Sequence, residues 1–569
     1  MVGDRWITDW LCGPRFPLLT RANAGEVMPE PGSPLAMSLV WEPGIMLGWW
    51  DAQIGVGTFD PDELEPRDCI ASIGGYLYIN ATTARLFGAR VPGMTPEMID
   101  FIYFGEHPDV PPYVPEPWHE NPGASERLTA WMGAVLTATD LPELRDDRAL
   151  ADEARRGRPD LGVLTDAALV ERARSFIPMI RHLFCRHLTV TAGASIGPGV
   201  LQGVAAAIGD PTIPMRLVSS VGDVDSAAPS HALWTLSRLV RASTELTAIF
   251  DAGIGGVIDA VRRSTDPAVQ HARAEFGQFM VLYGSRGPNE WDVRSEVWET
   301  RPELVVALID RMRLQDDEDA PSARNADRAA DRQALTAEIE VALADQPEVL
   351  GQFRAGLRSA HVYLAGRERT KTTIIRVLHE IRMAVRELGA RHGYELAGIT
   401  MLLDDEIDAF VADPSEFSAR LASREQQFRE LFDLEPPFIV DGAPLPLVQW
   451  PHRAVTSVTK AVPGDVLHGV SGCPGVATGR ARVILDPADP TALEAGDVLI
   501  APITDPAWTP LFVSAAAVVV DVGAQVSHAV IVSRELGIPC VVSVKGATSR
   551  ITDGALVRVD GSAGTVTLL

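Results

Sequence analysis

One stretch near the end of the chain limits its fold more than any other. Ala515 to Val520 is an unbroken apolar run with the length and character of a buried strand ending at Asp521. Gly523 loosens the loop that follows, and Ser527 is a good helix N-cap. His528 to Leu536 then keeps helical spacing, with Val530, Ile531 and Leu536 apolar. Gly537 and Pro539 supply a helix stop. The segment predicts a strand, a loop and a short helix, with His528 in the first helical turn. A neutral imidazole nitrogen there can attack phosphorus. Free backbone N–H groups and the positive end of the helix would stabilise the charge gained. The same residues also fit a capped surface helix that merely begins with His.

The neighbouring motifs favour the first reading. Gly523-Ala524-Gln525-Val526-Ser527-His528-Ala529-Val530-Ile531-Val532-Ser533-Arg534-Glu535-Leu536-Gly537-Ile538-Pro539 resembles the phosphohistidine swivelling domain of the phosphoenolpyruvate-utilising enzymes. Cys473-Pro474-Gly475, Ala477 to Val483, Gly496-Asp497-Val498-Leu499, Val559-Asp560-Gly561 and Gly564-Thr565-Val566 extend the likeness over the last hundred residues. Thr504-Asp505-Pro506-Ala507-Trp508-Thr509-Pro510 resembles the branch containing phosphoenolpyruvate synthase, rifampicin phosphotransferase and phenylphosphate synthase. Ala524 stands where that family usually has a second Gly. The resemblance implies that His528 carries phosphate, with Gly523 and Ser527 forming its loop.

A chain of 569 residues exceeds one core and suggests three or four domains or subdomains. Its 46% hydrophobic content fits a substantial buried interior. The net charge of −26 argues against non-specific binding to nucleic acid or an anionic membrane. It leaves room for a phosphorylated small molecule in a locally basic pocket. Cys12, Cys69, Cys185, Cys473 and Cys540 are scattered and odd in number, so neither a disulfide framework nor a metal-ligand spacing emerges. The N-terminus lacks a signal-peptide core, and no apolar run is expected to approach membrane-span length. The expected setting is the cytoplasm.

The fold class expected is multidomain α+β, a large mainly helical acceptor domain followed by a C-terminal α/β swivelling domain. Residues 1–115, rich in Gly, Pro and Trp, read as loops and short strands around a few helices, with apolar runs at Gly44 to Trp50 and Tyr76 to Ile79. Residues 116–440 read as mainly helical, as in Leu128, Trp131, Met132, Val135 and Leu136 on one face, or Leu236, Leu239 and Val240. A hinge is expected over 441–463, preceded by Glu435-Pro436-Pro437, and the swivelling domain over 464–569. Residues 313–334 form a charged linker or the polar start of a long helix. Leu188 to Thr191 suggests a short strand, and Ala192 to Leu201 a Gly-rich turn without P-loop or dinucleotide spacing. His182 and Cys185 share a helix face, but His187 falls off it, which is poor spacing for a metal site.

Three further stretches offer site candidates. Thr20 to Val27 followed by Pro31-Gly32-Ser33-Pro34 sets polar groups between turn breakers. Arg21 and Asn23 are its substrate-binding candidates, against the plain alternative of turn and capping residues. In Tyr283-Gly284-Ser285-Arg286-Gly287-Pro288-Asn289-Glu290-Trp291-Asp292, Arg286 could clamp a phosphate or carboxylate with Asn289 beside it. Glu290 could take a proton from a hydroxyl. The alternative is an internal Arg–Glu pair that fixes the turn. Arg367-Glu368-Arg369-Thr370-Lys371 reads as the opening of a helix running on through Ile374, Ile375, Leu378 and Ile381, with Arg367 and Lys371 on one face as a cationic pair suited to phosphate, against the alternative of a merely solvated pair. All three stretches resemble the substrate domain of the rifampicin-phosphotransferase-like family. That resemblance makes Arg367, Glu368 and Lys371 site candidates facing the incoming phosphohistidine.

The resemblance covers two parts of a three-part machine, since no stretch reads as an ATP-grasp domain or a phosphoenolpyruvate-binding barrel. It implies a separate ATP-grasp subunit binding ATP and Mg²⁺, phosphate carried on His528, and a hydroxyl on a small organic acceptor. Arg367 and Lys371 would neutralise the phosphoryl group, and Glu290 or Glu368 would assist the hydroxyl. No metal ligands are expected in this chain. The alternative is a non-catalytic binding or regulatory protein that retains both folds.

Overall fold

The apolar run at 515–520 becomes a central strand, Ala517–Val520, with all four residues buried. The short helix forms at His528–Leu536 and ends on Gly537, whose φ of 68° is the left-handed conformation a Cβ would resist. Cys540–Val542 then returns parallel to the first strand, completing a strand–helix–strand crossover. These elements belong to a computed structural model that describes residues 7–104, 109–210, 213–219, 221, 225, 227–317, 320–453, 459–485, 493–504, 508–523 and 527–569.

The chain divides into two compact units. The first comprises Met1–Gly197, Trp291–Ser295 and Arg358–Ser457; the second comprises Pro198–Glu290, Glu296–Leu357 and Val458–Leu569. Residues 116–440, read as one domain from the sequence, contribute to both.

The second unit contains an eight-stranded sheet. Its strands in chain order are β5 (Val466–His468), β6 (Val470–Cys473), β7 (Val476–Val483), β8 (Val498–Ala501), β9 (Ala517–Val520), β10 (Cys540–Val542), β11 (Leu556–Asp560) and β12 (Thr565–Leu568). The spatial order is β5-β12-β11-β7-β8-β9-β10-β6, with β7, β8, β9 and β10 mutually parallel and the flanking pairs antiparallel. Central β8 and β9 are buried at every position, as expected of parallel strands covered on both faces. The same unit holds the helices Ala228–Ala242, Pro267–Tyr283 and Pro302–Arg313. Leu236, Val240, Phe279 and Trp298 share one apolar cluster with Leu499, Phe512, Val518 and Val530. The charged stretch at 313–334 is largely helical, since a helix spans Pro321–Ala342 and lies against the His528–Leu536 helix.

The first unit carries a small antiparallel sheet with order β2-β3-β1-β4: β1 is Leu18–Thr20, β2 Ile70–Ile73, β3 Tyr76–Asn80 and β4 Ile439–Asp441. Its core is helical. Ile374, Ile375, Leu378 and Ile381 of the 45-residue helix Pro347–Arg391 are fully buried with Ile180, Leu183 and Phe184.

Several expectations need correction, and two share a cause. Gly44 to Trp50 is helical, within a continuous helical run from Ala36 to Val56 whose first part winds in wide π-type turns around Pro43. Leu188 to Leu201 is neither strand nor turn; it lies inside the helix Ile177–Ile208. The glycines in these stretches serve close packing. A Cβ on Gly48 would lie 2.5 Å from the Arg181 carbonyl oxygen, and one on Gly193 2.5 Å from the Tyr363 ring. Glycine therefore lets long helices press together here, at the cost of misleading a turn reading.

Residues 188–208 carry no charge, and the helical run Asp166–Ile208 is long and apolar enough by composition to cross a membrane, contrary to expectation; 39% of its apolar window is buried inside the protein. Arg367 to Lys371 lies in the interior of Pro347–Arg391 and does not open a helix. The expected tether after Glu435 is partly fixed. Ile439–Asp441 is a strand, and Trp450 is buried with its ring 5.9 Å from Tyr76. Within the expected hinge, residues 454–458 lie outside the described residues.

Candidate functional site

His528 sits where β9 passes into its helix, at the carboxyl side of a parallel sheet, where open α/β sheets characteristically place their chemistry. The ring is buried, and each nitrogen meets a hydroxyl. Nε2 lies 3.1 Å from Thr509 Oγ1 and Nδ1 3.2 Å from Thr504 Oγ1. Phe512 packs edge-on at 6.0 Å. The two threonines fix the plane of the ring, and hydroxyls suit either tautomer because each can donate or accept. Sequence reading quoted both threonines within a motif but gave neither a role. Their link to His528 depends on a helix turn and a strand end meeting in space. Ser527 occupies the N-cap position, with φ −71° and ψ 160°, yet its hydroxyl makes no capping bond and is buried without a hydrogen-bond partner among the described residues. Gly523 is described, while 524–526 of the expected phosphohistidine loop lie outside the described residues.

A second cluster lies in the first unit. Arg367 and Lys371 are one turn apart and half-buried on the Pro347–Arg391 helix. Glu368 points roughly 100° away around the helix and is buried. The group sequence reading missed is His187. Its Nδ1 lies 2.9 Å from Thr370 Oγ1, and its ring packs 5.8 Å from Phe184 and 6.3 Å from Trp291. Burial, and then the charges of Arg367 and Lys371, lower its ionisation from 6.5 to about 3. His182 is not beside it; its Nε2 pairs with Asp147 at 2.8 Å. The only available signal was the poor metal spacing of His187, which left its true neighbours unnamed.

The Tyr283 to Asp292 stretch serves both units. In the second unit Arg286 Nε lies 2.9 Å from Glu290 Oε2, with both side chains almost fully buried, so the internal Arg–Glu pair of the alternative reading is formed. Asn289 adopts a positive φ of 47°, which Asn tolerates better than most residues. In the first unit Asp292 accepts from Ser33 N at 2.7 Å, Ser33 Oγ at 2.6 Å and Arg294 N at 2.8 Å, fixing a loop. Arg21 is likewise engaged. It donates to the carbonyls of Leu77, Met28 and Pro29 and stacks over Tyr76 at 4.8 Å. Those bonds support the turn-fixing reading of Arg21. Asn23 is half-buried, begins the helix Ala24–Val27 and makes no side-chain capping bond. Among the described residues no group of three or more His, Cys, Asp or Glu side chains converges to hold a metal ion.

Each cluster overlaps a region that matches a family of known proteins. Residues 493–564 match the mobile domain of the phosphoenolpyruvate-utilising enzymes, a span that includes His528, Thr504 and Thr509. This defines the class of the C-terminal region. Residues 186–368 match the fourth domain of rifampicin phosphotransferase, a span that includes His187, Arg286, Glu290 and Arg367. The two matches support a likeness of the chain to the phosphoenolpyruvate-utilising, rifampicin-phosphotransferase-like family. It is 28% identical over 531 residues to a rifampicin phosphotransferase of Streptomyces sp, covering 87% of this chain and 58% of that protein. It is also 28% identical over 588 residues to an uncharacterized protein of Mycobacterium tuberculosis, covering 97% of this chain and 62% of that one. Chondramide synthase of Chondromyces crocatus is 31% identical over 366 residues, 60% of this chain but only 9% of its own length. The chain thus spans less than two thirds of these relatives.

Proposed function

We infer that this chain is a phosphotransferase component that carries phosphate on His528 from a separate ATP-grasp partner to a hydroxyl of a small organic acceptor. The observation that carries this reading is His528 itself, a buried imidazole at a helix start with a hydroxyl on each nitrogen. The helix start favours the negative charge of a phosphoryl group, and release of one threonine hydroxyl exposes a nitrogen to attack. The half-buried cations Arg367 and Lys371 suit neutralisation of a phosphoryl group, since phosphoryl transfer depends mostly on positioning and charge. The two family matches and similarity to a rifampicin phosphotransferase support the same reaction class. ATP and Mg²⁺ are assigned to the partner, and no step in this chain is routed through a metal.

The test is phosphate incorporation from β-labelled ATP, with the protein alone and with a candidate ATP-grasp partner. Acid-labile label that requires the partner and vanishes in His528→Ala is the expected outcome. Label without a partner would instead put a nucleotide site in this chain. No label under any pairing would favour a binding or regulatory protein that keeps the family's folds.

A further inference from the structure

The first unit contains a neutral base that the carrier chemistry above does not use. Thr370 Oγ1 has one proton, and it donates that proton to the Arg367 carbonyl at 2.8 Å. Toward His187, 2.9 Å away, the same oxygen can only accept. This arrangement assigns the proton of His187 to Nδ1 and the lone pair to Nε2. Burial and the adjacent Arg367 and Lys371 keep the imidazole uncharged at neutral pH. The rings of Phe184 and Trp291 pack beside it. A histidine with a fixed tautomer beside two cations on the next helix has the attributes of a proton acceptor at a phosphoryl-transfer site.

We propose that His187 is a catalytic residue of the acceptor half-reaction, its Nε2 taking the proton of the acceptor hydroxyl. This rests on the phosphotransferase reading. As the acceptor oxygen forms its bond to phosphorus, the bond from phosphorus to the His528 nitrogen breaks and its electron pair returns to that imidazole. The hydroxyl proton passes to His187 Nε2, and the resulting imidazolium returns it to water when the phosphate ester leaves. The timing follows from electrostatics. The charges of Arg367 and Lys371 suppress the basicity of His187. A bound phosphoryl group offsets their charge and restores that basicity.

The test uses the full chain with ¹⁵N-labelled histidine, His187→Gln to identify the signal, and phenyl phosphate as a product-like probe. The expected result is an Nδ1–H tautomer whose ionisation moves up by about 1–3 pH units on adding phenyl phosphate, a response lost in Arg367→Gln. An Nε2–H tautomer, or a ring that ignores the probe, overturns the proposal whatever His528 does. In transfer from labelled His528, normalised to the label carried, His187→Gln is expected to lower the rate by roughly 10²–10⁴-fold. Transfer at the wild-type rate in that variant overturns the proposal while leaving the carrier reading intact.

Discussion

Two arginine clusters in this molecule look alike in sequence and differ in structure. Arg286 and Glu290, four residues apart, are buried against each other at 2.9 Å. Arg367 and Lys371, also four apart, are half-buried on a helix beside a neutral histidine. In the first cluster the charge is answered from within, and the pair holds a turn. In the second, two cations act on an uncharged ring, an arrangement that gains from an incoming anion. A charged motif points to architecture when a neighbour in the same turn answers its charge, and to chemistry when its cations flank a neutral ring that can take a proton.

The contrast can be broken at its strongest point first. Glu290→Gln leaves the Arg286 guanidinium buried without its counter-charge and is expected to cost about 3–5 kcal/mol of stability, read from the denaturation midpoint. A loss of transfer with unchanged stability would make Glu290 a chemical group. Arg367→Gln should do the reverse. Its unfolding free energy should shift by no more than about 0.5 kcal/mol, while transfer from labelled His528 falls by roughly 10²–10³-fold. Comparable stability losses in both variants would erase the distinction.

Acid titration supplies a subtler test. His187 ionises near 6.5 in an unfolded chain but only at about 3 in the fold. Between these values the unfolded state binds the extra proton. The stability contributed by the neutral ring is thus complete above pH 6.5 and is lost as pH falls toward 3. His187→Gln should flatten that part of the stability curve. An unchanged slope would mean that the ring is not held neutral by its surroundings.

The His528 segment was the most legible part of the chain because its determinants are local. A β-branched run, a helix of 3.6-residue period and a left-handed glycine stop each act over a few residues, and the His528–Leu536 bounds follow from them. The Tyr283 to Asp292 turn was legible as a motif but not as a role. Whether Glu290 faces a substrate or Arg286 depends on burial that residue types do not disclose. Glycines misled where they serve packing. Gly193 read as part of a turn and Gly48 as part of a short apolar run, although each lies inside a helix and admits a neighbour that a side chain would exclude.

The sequence by itself determined the class of the C-terminal sheet and the place of His528 at a helix start, because these rest on short-range patterns and ordered motifs. Only the tertiary structure decided which groups meet. Thr504 and Thr509 reach His528 from 24 and 19 positions away, and Thr370 reaches His187 across 183. Helix packing set those meetings, and with them the surroundings of each imidazole. A proton's position depends on the nearest oxygen in space, and sequence order says little about which oxygen that is.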